Sequence, residues 1–428
     1  MKKILPMSHG LRGEIEIPGD KSISHRAIML SALGNSSVEV ENFLLGADCL
    51  STVDCMKKLG AKIELAGEKI SITGNGLHGL KEPEDILDAG NSGTTLRLLL
   101  GLTAPQKFLV TFTGDNSLRR RPMARVIKPL QEMGATIVGR NNNKNLPITV
   151  LKPERRLHGI TYKMPVASAQ VKSAIILAGL FADGYTKIIE PAPSRDHTEK
   201  MLEAFGAHLE KFGNAIKIFP AKNLTAPEKI VVPGDISSAA YWIVLASILP
   251  DSEVVIKNVG VNQTRTGIIE IMQKMGAKIE FLNERKSGGE SSADLKVTSA
   301  KLHGVEFGGE IIPRLIDEIP ALAVAAAFAE GETVIHDVGE LRVKETDRLN
   351  AIHEFNKISP GSCETSEDSL TIHGGGEKKF AECKTFSDHR MAMSLAIFGA
   401  AANGVEIDDA DCVKISYPKF FENISSAQ

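Results

Sequence analysis

Six short stretches of the sequence combine polar and charged residues that could bind a small anionic substrate. They are DKSISHR (20–26), DAGNSGTTLR (88–97), VASAQVKS (166–173), GDISS (234–238), IDEIP (316–320) and SDHRMAM (387–393). Each stretch opens a run of small and apolar residues that predicts a helix. The free N–H groups at a helix N-terminus and the positive end of its dipole bind anions well. Several such helix starts in one cleft would therefore make many contacts with an anionic ligand.

Cationic side chains accompany these helix starts, and ordinary helix capping does not explain them. Capping accounts for the Ser, Thr, Asp and Asn residues, which are favoured at N-caps. An arginine binds phosphate or carboxylate through two parallel hydrogen bonds, so the ligand should carry such groups. Asp317 and Glu345 stand among the cations and could move protons. The candidate cations are Lys21, Arg26, Arg121, Lys344, Arg348 and Arg390.

Three of these cations lie in two charged stretches that could equally form a solvated surface. In GDNSLRRRPM (114–123), we expect two of the three arginines to face solvent. Arg121 precedes a proline and is therefore held extended at a helix start, which favours a fixed orientation. In LRVKETDRL (341–349), the alternative is a helix face with ion pairs three or four residues apart.

The two halves of the chain are duplicates, and their differences act as an internal control. The triplet PGD starts at Pro18 and again at Pro233, 215 residues later, within similar surroundings. Only the first copy carries two cations after the triplet, so folding does not require them and we expect them to be functional. The corresponding residues are Lys21 and Ile236, Ser22 and Ser237, His25 and Ala240, and Arg26 and Tyr241.

A smaller repeat runs through both halves and consists of a small-residue helix, a turn and an alternating strand. Its strand positions are 71, 79, 66, 80 and 71 residues apart, which predicts six units of mixed helix and strand. A second theme predicts a helix end, a Gly cap and a strand, with a degraded copy at HEFNKISPG (353–361). The strand positions are Val38, Leu109, Ile188, Val254, Val334 and Val405. The clear copies of the second theme are MKKLGAKIEL (56–65), LQEMGATIVG (130–139), LEAFGAHLEK (202–211) and MQKMGAKIEF (272–281).

Composition excludes several other classes of protein. Fifty basic and 53 acidic residues leave a net charge of −3, which gives no bulk field for nucleic acid or an anionic membrane. Five cysteines without CxxC spacing indicate inert thiols in a reducing compartment, and we find no secretory or membrane-spanning pattern. No P-loop, dinucleotide fingerprint or HExxH motif is present, so we expect no nucleotide cofactor and no metal. These features favour a cytoplasmic enzyme without a cofactor that acts on small phosphorylated or carboxylated molecules.

The sequence resembles the 5-enolpyruvylshikimate-3-phosphate synthase (3-phosphoshikimate 1-carboxyvinyltransferase) family over essentially its whole length. SAQVKSAIILAGL and PSRDHTEKML are similar to the class II bacterial branch of that family. The motifs that carry the resemblance are PGDKSISHRA, LDAGNSGTTLR, GDNSLRRRPM, VASAQVKSA, RDHTEKML, LRVKETDRL and DHRMAM.

The resemblance implies an α/β fold, a two-domain inside-out α/β barrel built from six βαβαββ repeats, three per domain. One lobe would comprise residues 1–19 and 235–428, and the other residues 20–234. The active site would lie in the cleft between them, with a hinge near Gly19 and Gly234. We expect a monomer without bound nucleic acid or membrane.

The implied reaction transfers the enolpyruvyl group of phosphoenolpyruvate to the 5-hydroxyl of shikimate 3-phosphate and releases phosphate, in the pathway to chorismate and aromatic amino acids. Asp317 would accept the hydroxyl proton, Glu345 and Lys21 would move the proton at the methylene carbon, and His389 would assist. The residues implied for shikimate 3-phosphate are Lys21, Ser22, Arg26, Ser168, Ala169, Gln170, Arg195, Asp317 and Lys344. Those implied for phosphoenolpyruvate are Lys21, Gly93, Arg121, Gln170, Arg348 and Arg390.

Some positions depart from the family pattern, and two other functions compete with this one. Ile415 stands where some members have a lysine, so either Lys414 or Lys419 could replace that ligand. The retained Gly93 predicts that glyphosate competes with phosphoenolpyruvate. The alternatives are a UDP-N-acetylglucosamine enolpyruvyltransferase and a non-catalytic anion-binding protein. The first is disfavoured because Ser22 follows Lys21 and GDNSLRRRPM contains no cysteine, and the second because the chain is not basic.

Overall fold

Helices and strands alternate along the computed structural model, which describes residues 1–427. The elements of the first half are β1 (Lys2–Ile4), β2 (Arg12–Ile15), α1 (Lys21–Leu33), β3 (Ser37–Glu41), α2 (Ala47–Lys58), β4 (Lys62–Ala66), β5 (Lys69–Thr73), β6 (Leu87–Asp88), α3 (Gly93–Thr103), β7 (Val110–Thr113), α4 (Ala124–Glu132), β8 (Thr136–Gly139), α5 (Arg140–Asn143), β9 (Asn145–Leu151), β10 (Thr161–Lys163), α6 (Ala169–Gly179), β11 (Thr186–Ile189), α7 (His197–Ala204), β12 (Leu209–Phe212), β13 (Ala215–Ile218) and β14 (Lys229–Val231). Those of the second half are α8 (Ile236–Ile248), β15 (Glu253–Gly260), α9 (Gly267–Lys274), β16 (Lys278–Ser287), β17 (Glu290–Thr298), β18 (Glu306–Phe307), α10 (Ile319–Phe328), β19 (Glu332–His336), α11 (Arg348–Ala351), α12 (Phe355–Ile358), β20 (Cys363–Thr365), β21 (Ser369–His373), β22 (Ala381–Cys383), α13 (His389–Ala401), β23 (Val405–Ile407) and α14 (Phe420–Ser426).

The chain divides into two compact units, each with its own apolar core. Unit 1 comprises Met1–Pro18, Gly234–Arg285 and the chain from Ser291 onward, and unit 2 comprises Gly19–Pro233 and Lys286–Glu290. The short segment 286–290, at the tip of the β16–β17 hairpin, therefore belongs to unit 2 although most of that hairpin belongs to unit 1.

Within each unit the helices that start with polar residues form the interior. In unit 1, α8, α10 and α13 pack on one another and are buried around almost their whole circumference. In unit 2, α1, α3 and α6 are buried in the same way. A helix that is apolar on every side is stable only inside a core. The sheets, whose strands alternate buried and exposed side chains, lie outside these helices.

Six small sheets repeat one topology, which confirms the predicted six repeats. In each sheet, the strand that follows an interior helix pairs in parallel with an edge strand and antiparallel with a third strand. The sheet orders are β14-β3-β5-β4, β6-β7-β9-β8 and β10-β11-β13-β12 in unit 2, and β16-β17-β15-β2, β18-β19-β21-β20 and β1-β23-β22 in unit 1.

Three strands complete sheets that are distant from them in the sequence. The sheet of the last repeat has three strands, and its antiparallel edge is β1 from the start of the chain. Similarly, β2 pairs with β15 in unit 1, and β14 pairs with β3 in unit 2. The fourth and sixth repeats are therefore completed by strands from the start of the chain, and the first repeat by a strand that follows the third repeat.

Glycines with positive φ end the second helix of each of the first five repeats, as the second sequence theme predicted. A left-handed residue at this position lets the chain turn from the helix into the next strand, and glycine adopts it without strain. The residues are Gly60 (φ 88°), Gly134 (φ 99°), Gly206 (φ 79°), Gly276 (φ 100°) and Gly361 (φ 73°).

The glycines of the two PGD triplets are required by packing. A Cβ on Gly19 would lie 1.9 Å from the carbonyl oxygen of Asn42, and one on Gly234 would lie 2.6 Å from Cγ1 of Ile17. Neither site has room for a side chain, so the triplet fixes a close approach of the backbone at each turn.

The predicted strand and helix positions agree with the structure, with small shifts. Five of the six predicted strand residues lie in strands, but Leu109 is 44% exposed and precedes β7, which starts at Val110. Pairing with β9 begins at Val110, opposite Val150, so no ladder partner extends the strand to Leu109. The helix predicted to start at Asp317 starts at Ile319, after a turn at residues 315–318. Within residues 1–427, we find no helix that is long and apolar enough to cross a membrane.

The left-handed cap after α7 gives a test of the turn chemistry. We expect Gly206→Ala to lower the free energy of unfolding by about 1–2 kcal/mol, because an L-residue is strained at φ 79°. A Cβ at this position meets no atom within 4 Å, so crowding adds nothing. Gly206→Asn is the matched control and should cost less, because Asn tolerates this conformation. Urea unfolding measures both, and an Ala variant as stable as the Asn variant would contradict the assignment.

Candidate active site

In unit 2, the start of α1 carries an ion pair and a buried arginine. Asp20 caps the helix by accepting a hydrogen bond from the Ile23 N–H at 2.9 Å. The Lys21 ammonium lies 2.5 Å from the carboxylate of Asp48, in the first turn of α2. Lys21 and Ser22 are both half-buried. The first turn of α1 therefore presents a partly solvated cation at a helix N-terminus.

Arg26 lies one turn further along α1 and is only 4% exposed. Its guanidinium donates from Nε to Thr198 Oγ1 at 2.7 Å, and from one terminal nitrogen to Ser173 Oγ at 2.8 Å. The other terminal nitrogen donates to the backbone oxygen of Ser22 at 2.8 Å. Burial lowers the pKa of Arg26 to about 10, so the side chain stays charged at neutral pH.

The start of α6 and the loop before α7 lie in the same unit. Ser168 is the N-cap residue of α6, and the half-buried Ala169 and Gln170 form its first turn. Arg195 is half-buried in the loop before α7, and its charge acts on Arg26. The residues of unit 2 that were predicted to bind shikimate 3-phosphate therefore lie in the first two turns of α1, at the start of α6 or in the loop before α7.

Gln170 links α6 to the start of α3. Its side-chain oxygen accepts a short hydrogen bond from Arg97, and its side-chain nitrogen donates to Thr94 Oγ1 at 2.9 Å. Ser92 caps α3 by accepting from the Thr95 N–H at 3.1 Å. The arginine that the sequence places among leucines is thus paired with a predicted ligand residue.

Gly93 lies between two guanidinium groups. A Cβ at this position would be 2.9 Å from Nη1 of Arg97 and 3.5 Å from Nη1 of Arg121. Arg121 donates to the side-chain oxygen of Asn91 at 3.0 Å. Of the three consecutive arginines, Arg119 and Arg120 are exposed and only Arg121 is half-buried, as the proline after it predicted.

In unit 1, Asp317 lies among three cations from two other segments of the chain. Its carboxylate is 3.3 Å from Lys344 Nζ, 3.3 Å from Arg348 Nη1 and 3.9 Å from Arg390 Nη2. Asp317 precedes α10 and Lys344 precedes α11. Arg348 is the first residue of α11, and Arg390 is the second residue of α13. The tertiary structure therefore brings four predicted site residues together around one carboxylate.

Arg348 is 1% exposed and is surrounded by acids. It lies 2.8 Å from Asp388 and 2.6 Å from Glu345, in addition to Asp317. Burial disfavours its charge, but Asp388 and then Glu345 outweigh that effect and raise the pKa of Arg348. Glu345 and Arg348 form an ion pair three residues apart, as the alternative interpretation of this stretch expected, but Arg348 is buried and does not lie on a solvated face.

His389 and Arg390 form the first turn of α13, and they differ in exposure. His389 is 2% exposed, whereas Arg390 is half-buried. Burial disfavours ionisation of Asp388, but Arg348 and then His389 act to lower the pKa of that carboxyl. Arg390 also lies 3.8 Å from Glu318, at the start of α10. His389 thus lies beneath the start of α13, close to the acid that caps the helix.

The duplicated helix α8 fills the corresponding positions with residues that stabilise unit 1. Tyr241 occupies the position of Arg26, is 1% exposed, and packs against Phe420 with ring centroids 5.8 Å apart. Ser237 occupies the position of Ser22 and accepts a hydrogen bond from Arg265 at 2.7 Å. The core therefore accepts an aromatic residue where the first copy has a cation.

Sequence reasoning missed several acids and hydroxyls that hold the cations. Asp48 and Asp388 were missed as ion-pair partners of the cations, because acids near a helix N-terminus are also common as capping residues. Asp388 has both roles: it pairs with Arg348 and caps α13 by accepting a hydrogen bond from the Arg390 N–H at 2.8 Å. Thr198 was missed because a single threonine carries no local signal. Their common clue is burial: Asp48 is 7% and Asp388 0% exposed. Of the two C-terminal candidates, Lys414 is exposed and lies 2.5 Å from Asp411.

Comparison with known proteins gives consistent results over nearly the whole chain. Residues 6–424 match the family model described as EPSP synthase (3-phosphoshikimate 1-carboxyvinyltransferase). The 3-phosphoshikimate 1-carboxyvinyltransferase of Thermoanaerobacter pseudethanolicus is 53% identical over 414 residues, which cover 96% of each chain. The one from Synechocystis is 53% identical over 417 residues, which cover 96% of this chain and 92% of that protein.

Solved structures agree with these relatives. An EPSP synthase from Acinetobacter baumannii superposes with a TM-score of 0.91 at 42% identity, covering 99% of this chain and 97% of that one. The enolpyruvyl transferase NikO from Streptomyces tendae has a TM-score of 0.80 at 17% identity, covering 99% and 96% of the two chains. The second match shows a shared fold.

A buried histidine beside the site gives a test of its environment. His25 is 0% exposed and hydrogen-bonds Thr52 at 2.6 Å, and burial lowers its pKa from 6.5 to about 3. Below pH 6.5 the unfolded chain therefore binds a proton that the folded chain does not, and stability falls with decreasing pH. We expect the stability advantage of wild type over His25→Gln to shrink by about 2 kcal/mol between pH 7.5 and 5.0.

Urea unfolding at the two pH values measures this difference. His208→Gln is the matched control, because it makes the same substitution at a side chain that is 66% exposed and so removes no buried imidazole. If the stability advantage of wild type over His25→Gln stayed constant between these pH values, burial would not be keeping His25 neutral.

Proposed function

The chain belongs to the EPSP synthase (3-phosphoshikimate 1-carboxyvinyltransferase) family, and on that premise we propose how its residues perform the family's reaction. It transfers the enolpyruvyl group of phosphoenolpyruvate to the 5-hydroxyl of shikimate 3-phosphate and releases phosphate, a step of aromatic amino-acid biosynthesis. The observation that carries the residue assignment is the gathering of Lys344, Arg348 and Arg390 around the single carboxylate of Asp317.

The helix starts of unit 2 are the proposed site for most contacts to shikimate 3-phosphate. Arg26 supports this role because its three hydrogen bonds go to neutral oxygens, so no carboxylate is bound directly to its guanidinium. The half-buried first turns of α1 and α6 add N–H groups, which favour phosphate and carboxylate. The proposed residues are Lys21, Ser22, Arg26, Ser168, Ala169, Gln170 and Arg195, with Asp317 and Lys344 from unit 1.

Phosphoenolpyruvate carries both a carboxylate and a phosphate, and each requires cations. The absence of a side chain at Gly93 leaves space beside two guanidinium groups, which supports a close approach of this small ligand. Arginines suit both anionic groups because their planar forks form paired hydrogen bonds. The proposed residues are Lys21, Gly93, Arg121, Gln170, Arg348 and Arg390.

The two acids of the proposed site, Asp317 and Glu345, are proposed to transfer protons during the reaction. As the 5-oxygen attacks the central carbon of phosphoenolpyruvate, its proton passes to Asp317, and the methylene carbon takes a proton from Glu345 or Lys21. The resulting tetrahedral intermediate keeps a carboxylate and a phosphate, which the fixed cations stabilise. Loss of a proton from the methyl group and departure of phosphate then re-form the carbon–carbon double bond, now as the enol ether of the product. The buried His389 is the proposed support for the start of α13.

Catalysis is proposed to need both units, in a cleft between them with hinges near Gly19 and Gly234. Lys21 and Arg26 belong to unit 2, whereas Asp317 belongs to unit 1, so neither unit has the full set. Closure would exclude water from the reacting groups. A monomer in the cytoplasm is the proposed working form. Five free thiols, all buried, support a reducing compartment.

Turnover with the two substrates is the first test. Asp317→Ala should lower kcat by about 10²–10⁴-fold because the hydroxyl proton loses its acceptor, and Lys21→Met should abolish turnover. A coupled phosphate-release assay measures both. Lys58→Met and Asp411→Ala change exposed ion pairs and are the matched controls, expected to retain activity.

Several outcomes would contradict the proposal. Full activity of either site variant, with circular dichroism that shows an intact fold, would remove that residue from the mechanism. A wild-type enzyme that uses UDP-N-acetylglucosamine in place of shikimate 3-phosphate would overturn the acceptor.

Glyphosate tests the environment of Gly93. We expect it to compete with phosphoenolpyruvate, so that its apparent inhibition constant rises with phosphoenolpyruvate concentration. Gly93→Ala should raise KM for phosphoenolpyruvate more than KM for shikimate 3-phosphate, because its methyl group would crowd Arg97 at 2.9 Å. Initial-rate measurements over both substrates separate these effects. Inhibition that does not depend on phosphoenolpyruvate concentration would refute competition.

A further inference from the structure

We propose that Thr198 and Ser173 are positioning residues that orient Arg26 for the anionic acceptor substrate. This inference rests on the proposed role of Arg26 as a ligand of shikimate 3-phosphate. Neither hydroxyl is proposed to contact a substrate itself. Thr198 is 1% and Ser173 1% exposed, so both lie beneath the surface that a ligand would meet.

The two hydroxyls form one acceptor unit on one edge of the guanidinium. Arg26 Nε donates to Thr198 Oγ1 at 2.7 Å, and Nη2 donates to Ser173 Oγ at 2.8 Å. The two hydroxyl oxygens lie 2.6 Å from each other, so one of them donates to the other. The pair thus spans the edge of the guanidinium as the two oxygens of a carboxylate would, but without a negative charge.

Counting donors shows what remains for a ligand. A guanidinium has five N–H groups. Thr198 and Ser173 each accept one, and the backbone oxygen of Ser22 accepts one from Nη1. One N–H is left on each terminal nitrogen, and two N–H groups of a guanidinium are the number that an oxyanion binds through paired hydrogen bonds. The hydroxyl pair therefore fixes the plane of the guanidinium and leaves its end available.

Neutral partners preserve the attraction for an anion. A carboxylate in place of the hydroxyl pair would satisfy the same edge but would place a negative charge against the guanidinium, as Asp388 does for Arg348 in unit 1 at 2.8 Å. The two hydroxyls orient the guanidinium of Arg26 in the same way but bring no negative charge to it. Their side chains are short, and burial restricts their rotamers, so little freedom is left to the arginine.

A buried ion cluster next to the pair holds the two helices that carry it. Lys172, the neighbour of Ser173 on α6, lies 2.8 Å from Glu199, the neighbour of Thr198 on α7. It also lies 2.9 Å from Glu190, at the end of β11. The Lys172 side chain is 1% and that of Glu199 0% exposed. Paired charges at this depth are costly to separate, so α6 and α7 are fixed to each other where the hydroxyls meet.

The test compares Thr198→Val with Thr198→Ser. Valine keeps the volume but loses the acceptor, so we expect KM for shikimate 3-phosphate to rise about tenfold, while KM for phosphoenolpyruvate changes less than about twofold. Serine restores the hydroxyl and should bring KM back to within about threefold of wild type. Thr103→Val is the matched control: Thr103 is also buried, but its hydroxyl bonds only the Leu99 backbone oxygen, at 2.7 Å.

Calorimetric binding of shikimate 3-phosphate and of shikimate identifies the group that Arg26 holds. Weaker binding of shikimate 3-phosphate alone in Thr198→Val assigns Arg26 to the phosphate, and equal weakening of both assigns it to the carboxylate. If Thr198→Val does not fold, Ser173→Ala removes the other acceptor and is expected to show the same selective rise in KM.

Three outcomes would overturn the inference while the proposed function stands. They are unchanged kinetics of a folded Thr198→Val enzyme, an equal rise of both KM values, and a Ser variant as impaired as the Val variant. Lack of turnover by the wild type and by Thr103→Val would instead overturn the proposed function, which keeps the two failures distinct.

Discussion

Burying arginines at helix starts is the constraint on which the candidate site depends. A guanidinium cannot lose its water without hydrogen-bond partners, and the nature of those partners decides what charge is left. Arg348 is held by three carboxylates, which fix its position in unit 1 through ion pairs. Arg26 is held by two hydroxyls and a carbonyl, so no carboxylate is bound directly to its guanidinium. The same side chain is thus positioned by charged partners in one unit and by neutral partners in the other.

The inside-out arrangement of each unit follows from the repeats and explains where the polar residues lie. Interior helices such as α8 and α10 are apolar along their length, so polar side chains are tolerated only at their ends. Many of the candidate residues therefore lie at or near the first turns of interior helices, whereas Arg121, Lys344 and Arg348 come from the segments between them. The duplicated copies differ at these positions, since the place of Arg26 in α1 is held by the buried Tyr241 in α8. Divergence at six equivalent positions could build a binding site without altering the scaffold.

Much of the fold and a large part of the candidate site could be predicted from the sequence, and the differences have local causes. The positions of the Gly caps were predicted correctly because a left-handed helix end depends on a few adjacent residues. The strand position at Leu109 was one residue too early, because the ladder partner and not the propensity of the chain determines where a strand starts. The sequence did not predict that β1 completes the sheet of the last repeat, since that pairing joins residues at opposite ends of the chain.

The sequence by itself determined the repeats, the helix starts and the residues that depart from the duplicated pattern, because these depend on periodicity and on neighbours in the chain. Only the tertiary structure decided the partners of each charge. Arg26 and Thr198 are 172 residues apart, and Arg348 and Asp388 are 40 apart. No local pattern connects such residues, because their contact depends on how whole helices pack around a core. The types of the functional residues can therefore be recognised from local sequence. The orientation of their side chains and the charges that surround them depend on the packed fold.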